Sequence, residues 1–196
     1  MPKQTSFVAG PQKDTISNAP QVEELLKNLE FHKSIQNINN RINSAESIKE
    51  IIVDIKENIR KLFNIDVLII YVLDKKKKEI YSLHTEDSEI KEKLLQVNNS
   101  SIVGYVANNK KMILINDAYD ERELKRINEQ LKFDRTSDRH LGILTGQVLA
   151  IPIIYERNIM GVLEVMIQKG GEKIEDYRQI FLDEIGSVLG IAFYNQ

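Results

Sequence analysis

The side chains that could do chemistry in this 196-residue chain are few and scattered. There are three histidines, His32, His84 and His140, and no cysteine. The lack of cysteine excludes disulfides, thiolate metal sites, thiol catalysis and attachment of a cofactor through sulfur. The histidines lie far apart, and no spacing of His and carboxylate matches a metal site. No nucleophile, base and orienting group stand together, and no glycine-rich phosphate loop follows a strand. One compact stretch does stand out: "SIVGYVANNKKMILINDAYDERE", Ser101 to Glu123. It reads as a small apolar helix, two lysines, a short apolar strand from Met112 to Ile115, and an acidic turn from Asn116 to Glu121. A helix, a strand and a charged turn set so close together either only pack or wrap a small cavity.

The rest of the chain must position that stretch. At this length roughly 70% of the unfolded surface can be buried, enough for one domain with an extension. Hydrophobic residues make up 42% and charged residues 29%, as in a globular protein, and the formal net charge is −2 with signs interspersed. That balance argues against direct nucleic-acid binding, which usually needs a basic stripe. No apolar run approaches the ~20 residues of a membrane helix, and the N-terminus lacks the apolar core of a signal peptide. The expectation is a cytoplasmic protein that does not engage a membrane.

Residues 1–20 hold three of the four prolines and show no periodicity, so they read as a disordered arm, with residues 21–196 as the domain. From Gln21, Val22, Leu26 and Leu29, then Phe31, Ile35, Ile38 and Ile42, step by three and four along one long helix. "SIKE", Ser47 to Glu50, is a capping box opening a second helix whose face carries Ile48, Ile51, Ile52, Ile55, Ile59 and Leu62. "VLIIYVLD", Val67 to Asp74, reads as a buried central strand and "EIYSLHT" as its return. Lys75 to Lys78 between them are a solvated hairpin tip or a phosphate or partner contact. Lys91 to Val97 fits a short helix or an edge strand. Asp120 and Glu123 form a second capping box, for a helix ending near Leu131, and Phe133 to Leu144 reads as an irregular loop. "GQVLAIPIIYE" and "IMGVLEVMIQ" are two long strands joined through Arg157 and Asn158. Pro152 lacks a ladder donor and belongs at an edge or a bulge. Ile174 to Tyr194 is a last helix, apolar on two sides. Its Gly186 and Gly190 allow close approach to the sheet or to a partner helix.

In series, "GYVANNKKMILINDAYDE", "D..LGILTGQVLAIPI" and "NIMGVLEVMIQKGG...ED" resemble a GAF domain in order and spacing, over roughly residues 40–196. The resemblance implies an α/β fold of the α+β type. A central antiparallel sheet of five to six strands would carry helices on both faces, with Leu94 to Val97 as a short extra strand. The first and last helices would share one face, and the other would hold a small-molecule pocket. The helix near Val103 to Ala107 would form one wall of that pocket, and the acidic turn would begin its lid. Cyclic-nucleotide-binding relatives carry a dispersed motif whose later elements match Phe133 and Asp138. Leu114 and Asn116 stand at its early positions and Arg139 follows Asp138, so the lysine partner of Asp138 is missing and a cyclic nucleotide is disfavoured. The polar groups expected nearest the cavity are Tyr105, Asp117, Asp138, Thr145 and Gln147. The plainer alternative is that the two aspartates only cap turns and Tyr105 only packs. His140 is the one candidate axial ligand for a haem, and a surface-loop role is the plainer one. Relatives that reduce oxidised methionine, and most that bind bilins, need cysteines that this chain lacks.

The resemblance implies a non-catalytic sensory or regulatory domain. It would hold an unidentified small ligand, with no cofactor named, and form a homodimer through the helices carrying Phe31 to Ile42 and Phe181 to Phe193. It would act on an output domain beyond Gln196, such as a cyclase, kinase, ATPase or transcription activator. The alternative is a ligand-free dimerisation or docking module with a self-filled cavity. A small-molecule enzyme is the weakest reading, because no catalytic set is visible.

Overall fold

Two strand patterns and three amphipathic helices account for most of the architecture. The computed structural model describes residues 19–82 and 93–196. The N-terminal arm through residue 18, His84 and Lys91 therefore lie outside the described residues. Helix α1 spans Ala19–Ser44 and α2 spans Ile48–Phe63. Ser47 opens α2 by accepting from Glu50 N–H at 3.2 Å, and the Glu50 carboxylate reaches back to Glu46 N–H at 2.8 Å. This closes the expected box one residue further out. Asn64, at φ 52°, ends the helix in the left-handed conformation.

The sheet has six antiparallel strands in the order β3-β2-β1-β6-β5-β4. They are β1 (Val67–Asp74), β2 (Glu79–Ser82), β3 (Leu94–Gln96), β4 (Ile113–Ile115), β5 (Thr145–Tyr155) and β6 (Asn158–Gln168). Alternation sends Leu68, Ile70, Leu149, Ile151, Leu163 and Val165 to one face, under α1, α2 and the last helix. Val67, Ile69, Tyr71, Val148, Ala150 and Met166 face the other way, under α3 (Ile102–Asn109) and the segment holding α4 (Glu121–Ile127) and α5 (Thr136–Leu141). Pro152 lies beyond the end of β4, whose last partner on β5 is Ala150, and just before a register shift at Ile153 and Ile154. An unused ladder position is thus available where proline removes the donor.

The last helix, α6 (Asp176–Asn195), runs parallel to α1. Phe31 packs edge-on against Phe181 with centroids 5.1 Å apart, and at the other end Gln196 Nε2 donates to Ala45 O at 3.1 Å. Gly186 and Gly190 turn toward the sheet: a Cβ at Gly190 would lie 2.6 Å from the Ile154 carbonyl carbon, so only glycine lets α6 settle on β5. Ile35, Ile38, Ile42, Leu182, Leu189 and Phe193 are consumed in this intramolecular packing. On α1 and α6 the large apolar residues left uncovered are Val22, Leu25, Leu26 and Leu29 on the first turns of α1, and Tyr177, Ile180, Ile191 and Tyr194 on α6; Val53 on α2 is exposed as well. With Phe31 lying beside Tyr177, the first three turns of α1 extend about 18 Å past the start of α6, at 1.5 Å per residue. No helix among the described residues is long and apolar enough to cross a membrane.

Three local expectations are corrected. The segment from Phe133 to Leu144 is not wholly irregular: Thr136–Leu141 form α5, closed by Gly142 at φ 64°. Helix α4 stops at Ile127 rather than near Leu131. Asp120 caps it through Arg122 N–H and Glu123 N–H, but Glu123 does not return to Asp120. Its carboxylate accepts instead from Asn116 N–H at 2.8 Å and Asp117 N–H at 3.0 Å, and so ties down the acidic turn.

Candidate functional site

On the α3–α5 face the sheet carries one acid among the described residues, Glu164, in the middle of β6. Its strand partners are Ile69 on β1 and Ala150 on β5, both apolar, and it is only 5% exposed. Tyr71 donates its hydroxyl to Glu164 Oε2 at 3.0 Å. Burial pushes the Glu164 carboxyl above the usual carboxylate range, against the pull of the Lys93 ammonium and the Tyr71 hydroxyl. Burial, and then Glu164 itself, push Tyr71 well above the usual phenol value.

Above this pair lies a cavity of about 20 Å³, walled by Leu95, Ile102, Val103, Phe133 and Met166. That volume holds roughly one water. The α3 wall is set by Ser101, whose hydroxyl accepts from Gly104 N–H at 3.0 Å. A side chain at Gly104 would strike the carbonyls of Gln96 and Asn98, so glycine lets α3 sit tight on the end of β3. The mouth is closed by an ion pair: Lys93 Nζ lies 2.9 Å from Asp134 Oδ2, with the lysine side chain only 13% exposed. Burial works to raise the Asp134 carboxyl, but hydrogen bonds from Thr136 and Lys93 outweigh it and leave the group below its ordinary value.

Beside the cavity a second cluster fastens α5 to the sheet. Asp138 is 4% exposed and accepts from Thr145 N–H at 2.7 Å, Thr145 Oγ1 at 2.6 Å and the Tyr119 hydroxyl at 2.9 Å. Arg135 lies over the Tyr119 ring, 4.5 Å from its centroid. Met166 links cluster and cavity, since its sulfur is 3.8 Å from Thr145 Oγ1. On the outer side of Phe133 a surface groove of about 260 Å³ runs along Tyr119, Leu124, Leu131 and Arg135, so Phe133 is the wall between groove and cavity.

The residues singled out from sequence thus divide. Phe133 lines the cavity, and Asp138 and Thr145 form the latch next to it. Asp117 sits on the outer turn, accepting from Tyr119 N–H at 3.0 Å with Lys169 at 3.3 Å. The Tyr119 N–H, and then Lys169, hold its carboxyl below the usual range. Tyr105 is half-buried against the α3-side core, outside the cavity lining. Gln147 points to the opposite face, where its Oε1 accepts from Ile174 N–H at 2.8 Å and secures the turn before α6. His140 is exposed on α5, and His32 is exposed on α1 with its ring against Phe181. Sequence reasoning missed Tyr71, Lys93, Asp134 and Glu164. The signal for one of them was present: Glu164 is a lone acid inside "GVLEVMIQ".

The antiparallel six-stranded sheet carries α1, α2 and α6 on one face and α3, α4, α5 and the cavity on the other, which defines an α+β domain of regulatory type. The GAF domain family model matches residues 45–193, so the chain belongs to the GAF family, whose members are in general regulatory or sensory domains. No curated protein matches the sequence significantly. Among solved structures, the GAF domain of an Acinetobacter phosphoenolpyruvate-protein phosphotransferase is similar, with a TM-score of 0.64 at 19% identity, over 85% of this chain and 94% of that one. The nlh2 GAF domain of A. aeolicus in an inactive state gives 0.67 at 13% identity, over 86% and 98%. The free methionine-R-sulfoxide reductase of Neisseria meningitidis, in complex with its substrate, gives 0.65 at 10% identity, over 84% and 88%. At these identities the likeness is one of fold.

Proposed function

We propose that this chain is a non-catalytic sensory domain that binds a small ligand between the sheet and α3–α5 and passes the change to an output domain through dimerising terminal helices. The observation that carries the reading is the buried Glu164–Tyr71 pair beneath a cavity closed by a breakable ion pair. A carboxylate in the centre of an apolar sheet face opposes folding unless it is paired and hydrogen-bonded, and Tyr71 is its one side-chain donor among the described residues. Three more features support the reading. Glu123 and Asp138 each pin one end of the covering segment, so a ligand that lifts Phe133 and Asp134 strains defined points. The parallel course of α1 and α6 sets both terminal helices on the sheet face opposite the cavity. The apolar overhang of Val22, Leu25, Leu26 and Leu29 suits a matching helix from a second copy.

A ligand shifts a domain only by its difference in affinity for two states. The two states proposed are the closed cavity described above and one in which Lys93 has left Asp134. Thermal denaturation across nucleotides, haem and central metabolites tests this: a ligand at a hundred times its Kd stabilises by about 2.7 kcal/mol. The cavity's size, room for about one water, favours the second reading, a ligand-free dimerisation module. Silence across the whole panel would select it.

A further inference from the structure

Four exposed lysines, Lys75 to Lys78, form the tip of the β1–β2 hairpin, and the ligand-binding reading leaves them without a use. The fold adds to them from two further turns. Strand β1 pairs with β6, with Val72 opposite Gly161, so the β5–β6 turn at Glu156 and Arg157 emerges at the same end of the sheet. The end of α3 joins it there, because Lys110 Nζ donates to Arg157 O at 2.6 Å. Lys110, Lys111 and Arg157 are exposed as well. We infer that this end of the sheet is a docking surface for a short acidic polypeptide segment.

Charge and its placement carry the inference. Seven basic residues gather here with three acids, Asp74, Glu79 and Glu156, a net of +4. The whole chain carries −2, so the remainder carries −6. Two of the three acids are engaged locally. Asp74 Oδ1 accepts from the Lys76 and Lys77 N–H groups at 3.0 and 3.2 Å, and Glu79 Oε1 accepts from Gln96 Nε2 at 2.7 Å. Among the described residues the seven cations make one ion pair, Lys77 with Asp74 at 4.0 Å. Cations drawn from three turns repel one another, and an acidic partner relieves that repulsion. The hairpin tip is also preorganised, which lowers the entropy cost of binding. Lys78 holds φ 55°, and its carbonyl accepts from Val97 N–H at 3.3 Å.

The ridge crosses β2, β1, β6 and β5, about 15 Å at ~4.8 Å per strand. An extended chain covers that span with about five residues at ~3.3 Å each. A lipid surface or a long nucleic acid would run past the ridge onto a remainder of net −6 and be repelled. A single strand would also need aromatic platforms, and no residue of the three turns is aromatic. The ridge adjoins the last turn of α6, where Tyr194 stacks on Tyr155 with centroids 4.1 Å apart. A segment docked here therefore lies beside one of the terminal helices.

The test titrates the whole chain with capped hexaglutamate at about 50 mM and about 300 mM salt. Capped hexaglutamine, a dodecathymidylate strand and phosphatidylserine vesicles serve as comparisons. Amide chemical shifts of Lys76, Lys77, Lys111 and Arg157 are followed by NMR, and vesicle binding by co-sedimentation. The expected result is saturable shifts in both hairpin turns and at the end of α3 with hexaglutamate, about tenfold weaker binding at the higher salt, and none with hexaglutamine. Lys76→Gln with Lys77→Gln, and Lys111→Gln with Arg157→Gln, should each weaken binding about threefold or more, with melting unchanged because all four positions are exposed. No saturation by about 5 mM hexaglutamate, or equal binding of hexaglutamine, would overturn the inference. Tighter binding of the thymidylate strand or the vesicles would overturn the partner class. A loss confined to the Lys76 and Lys77 pair would reduce the ridge to a solvated hairpin tip and overturn it as well.

Discussion

Asp138→Ala tests whether the α5 segment is held by the latch or merely lies against the sheet. Asp138 receives three donors, and their fates differ when it is removed. Thr145 is fully buried, so its N–H is left without a partner. An orphaned buried donor costs about 1–3 kcal/mol. The Thr145 hydroxyl can turn to the Met166 sulfur, a weak acceptor 3.8 Å away. The Tyr119 hydroxyl belongs to a half-exposed residue and recovers a water. The total expected is about 2–4 kcal/mol, since one orphan dominates and one lost hydrogen bond adds about 1 kcal/mol. Asp138→Asn is the control. Its oxygen, placed where Oδ2 now accepts from both Thr145 N–H and Tyr119, keeps those two bonds, and its NH₂ can donate to Thr145 Oγ1. Its cost should stay near 1 kcal/mol or below. Urea unfolding gives the free energies, and amide exchange at Thr145 shows whether the loss is local. An alanine variant within about 0.5 kcal/mol of the parent, with Thr145 still protected, would refute the latch.

Other consequences of the packing can be measured in the same way. Gly190→Ala drives a methyl into the Ile154 carbonyl and should cost about 3 kcal/mol or more in urea unfolding. Gly186→Ala meets the Ile151 methyl at 3.2 Å and the Pro152 carbonyl oxygen at an ordinary 3.6 Å, and the gain in helix propensity should hold its net effect within about 1 kcal/mol; equal effects of the two would contradict the helix–sheet contact described. Burial raises the folded pKa of Glu164 above its unfolded value, so the folded state binds the proton more tightly, with Tyr71, Lys93 and Asp134 as the facing groups. The stability that this group contributes is fully present below the unfolded pKa of about 4.3 and is lost as pH rises through the folded value. Glu164→Gln should therefore gain on the parent between pH 4 and pH 8, and a difference that is flat or shrinks with pH would refute the assignment. Leu26→Glu with Leu29→Glu, both at exposed positions, should abolish a dimer in light scattering at tens of micromolar with little change in melting. A parent that is monomeric at that concentration, or a variant that stays dimeric, would remove the α1 overhang from the proposed interface.

Much of the frame was legible because its signals are periodic and long. Ile51, Ile52, Ile55 and Ile59 repeat over several turns, and "VLIIYVLD" can hardly be anything but a strand buried on both faces. The six residues of α5 span less than two turns, too few to show a period. Glu123 illustrates a different limit. The spacing Asp-x-x-Glu permits a capping box, but spacing does not say which N–H groups compete for the carboxylate, and the backbone donors of Asn116 and Asp117 win. Thr145 and Gln147 share a face in any regular strand, so sequence alone groups them. The register shift between them breaks the alternation: Thr145 pairs with Gln168 and turns to Asp138, while Gln147 pairs with Ile167 and turns to the helices. One residue's worth of bulge thus decides which of the two faces α5 and which faces the helices on the other side. Glu164 reverses the lesson. A lone acid in the middle of a central strand conflicts with every local preference of its neighbours, and such conflicts concentrate where a fold is used rather than merely held together. The acid on which the proposed reading rests sits in a central strand rather than in the loops and turns.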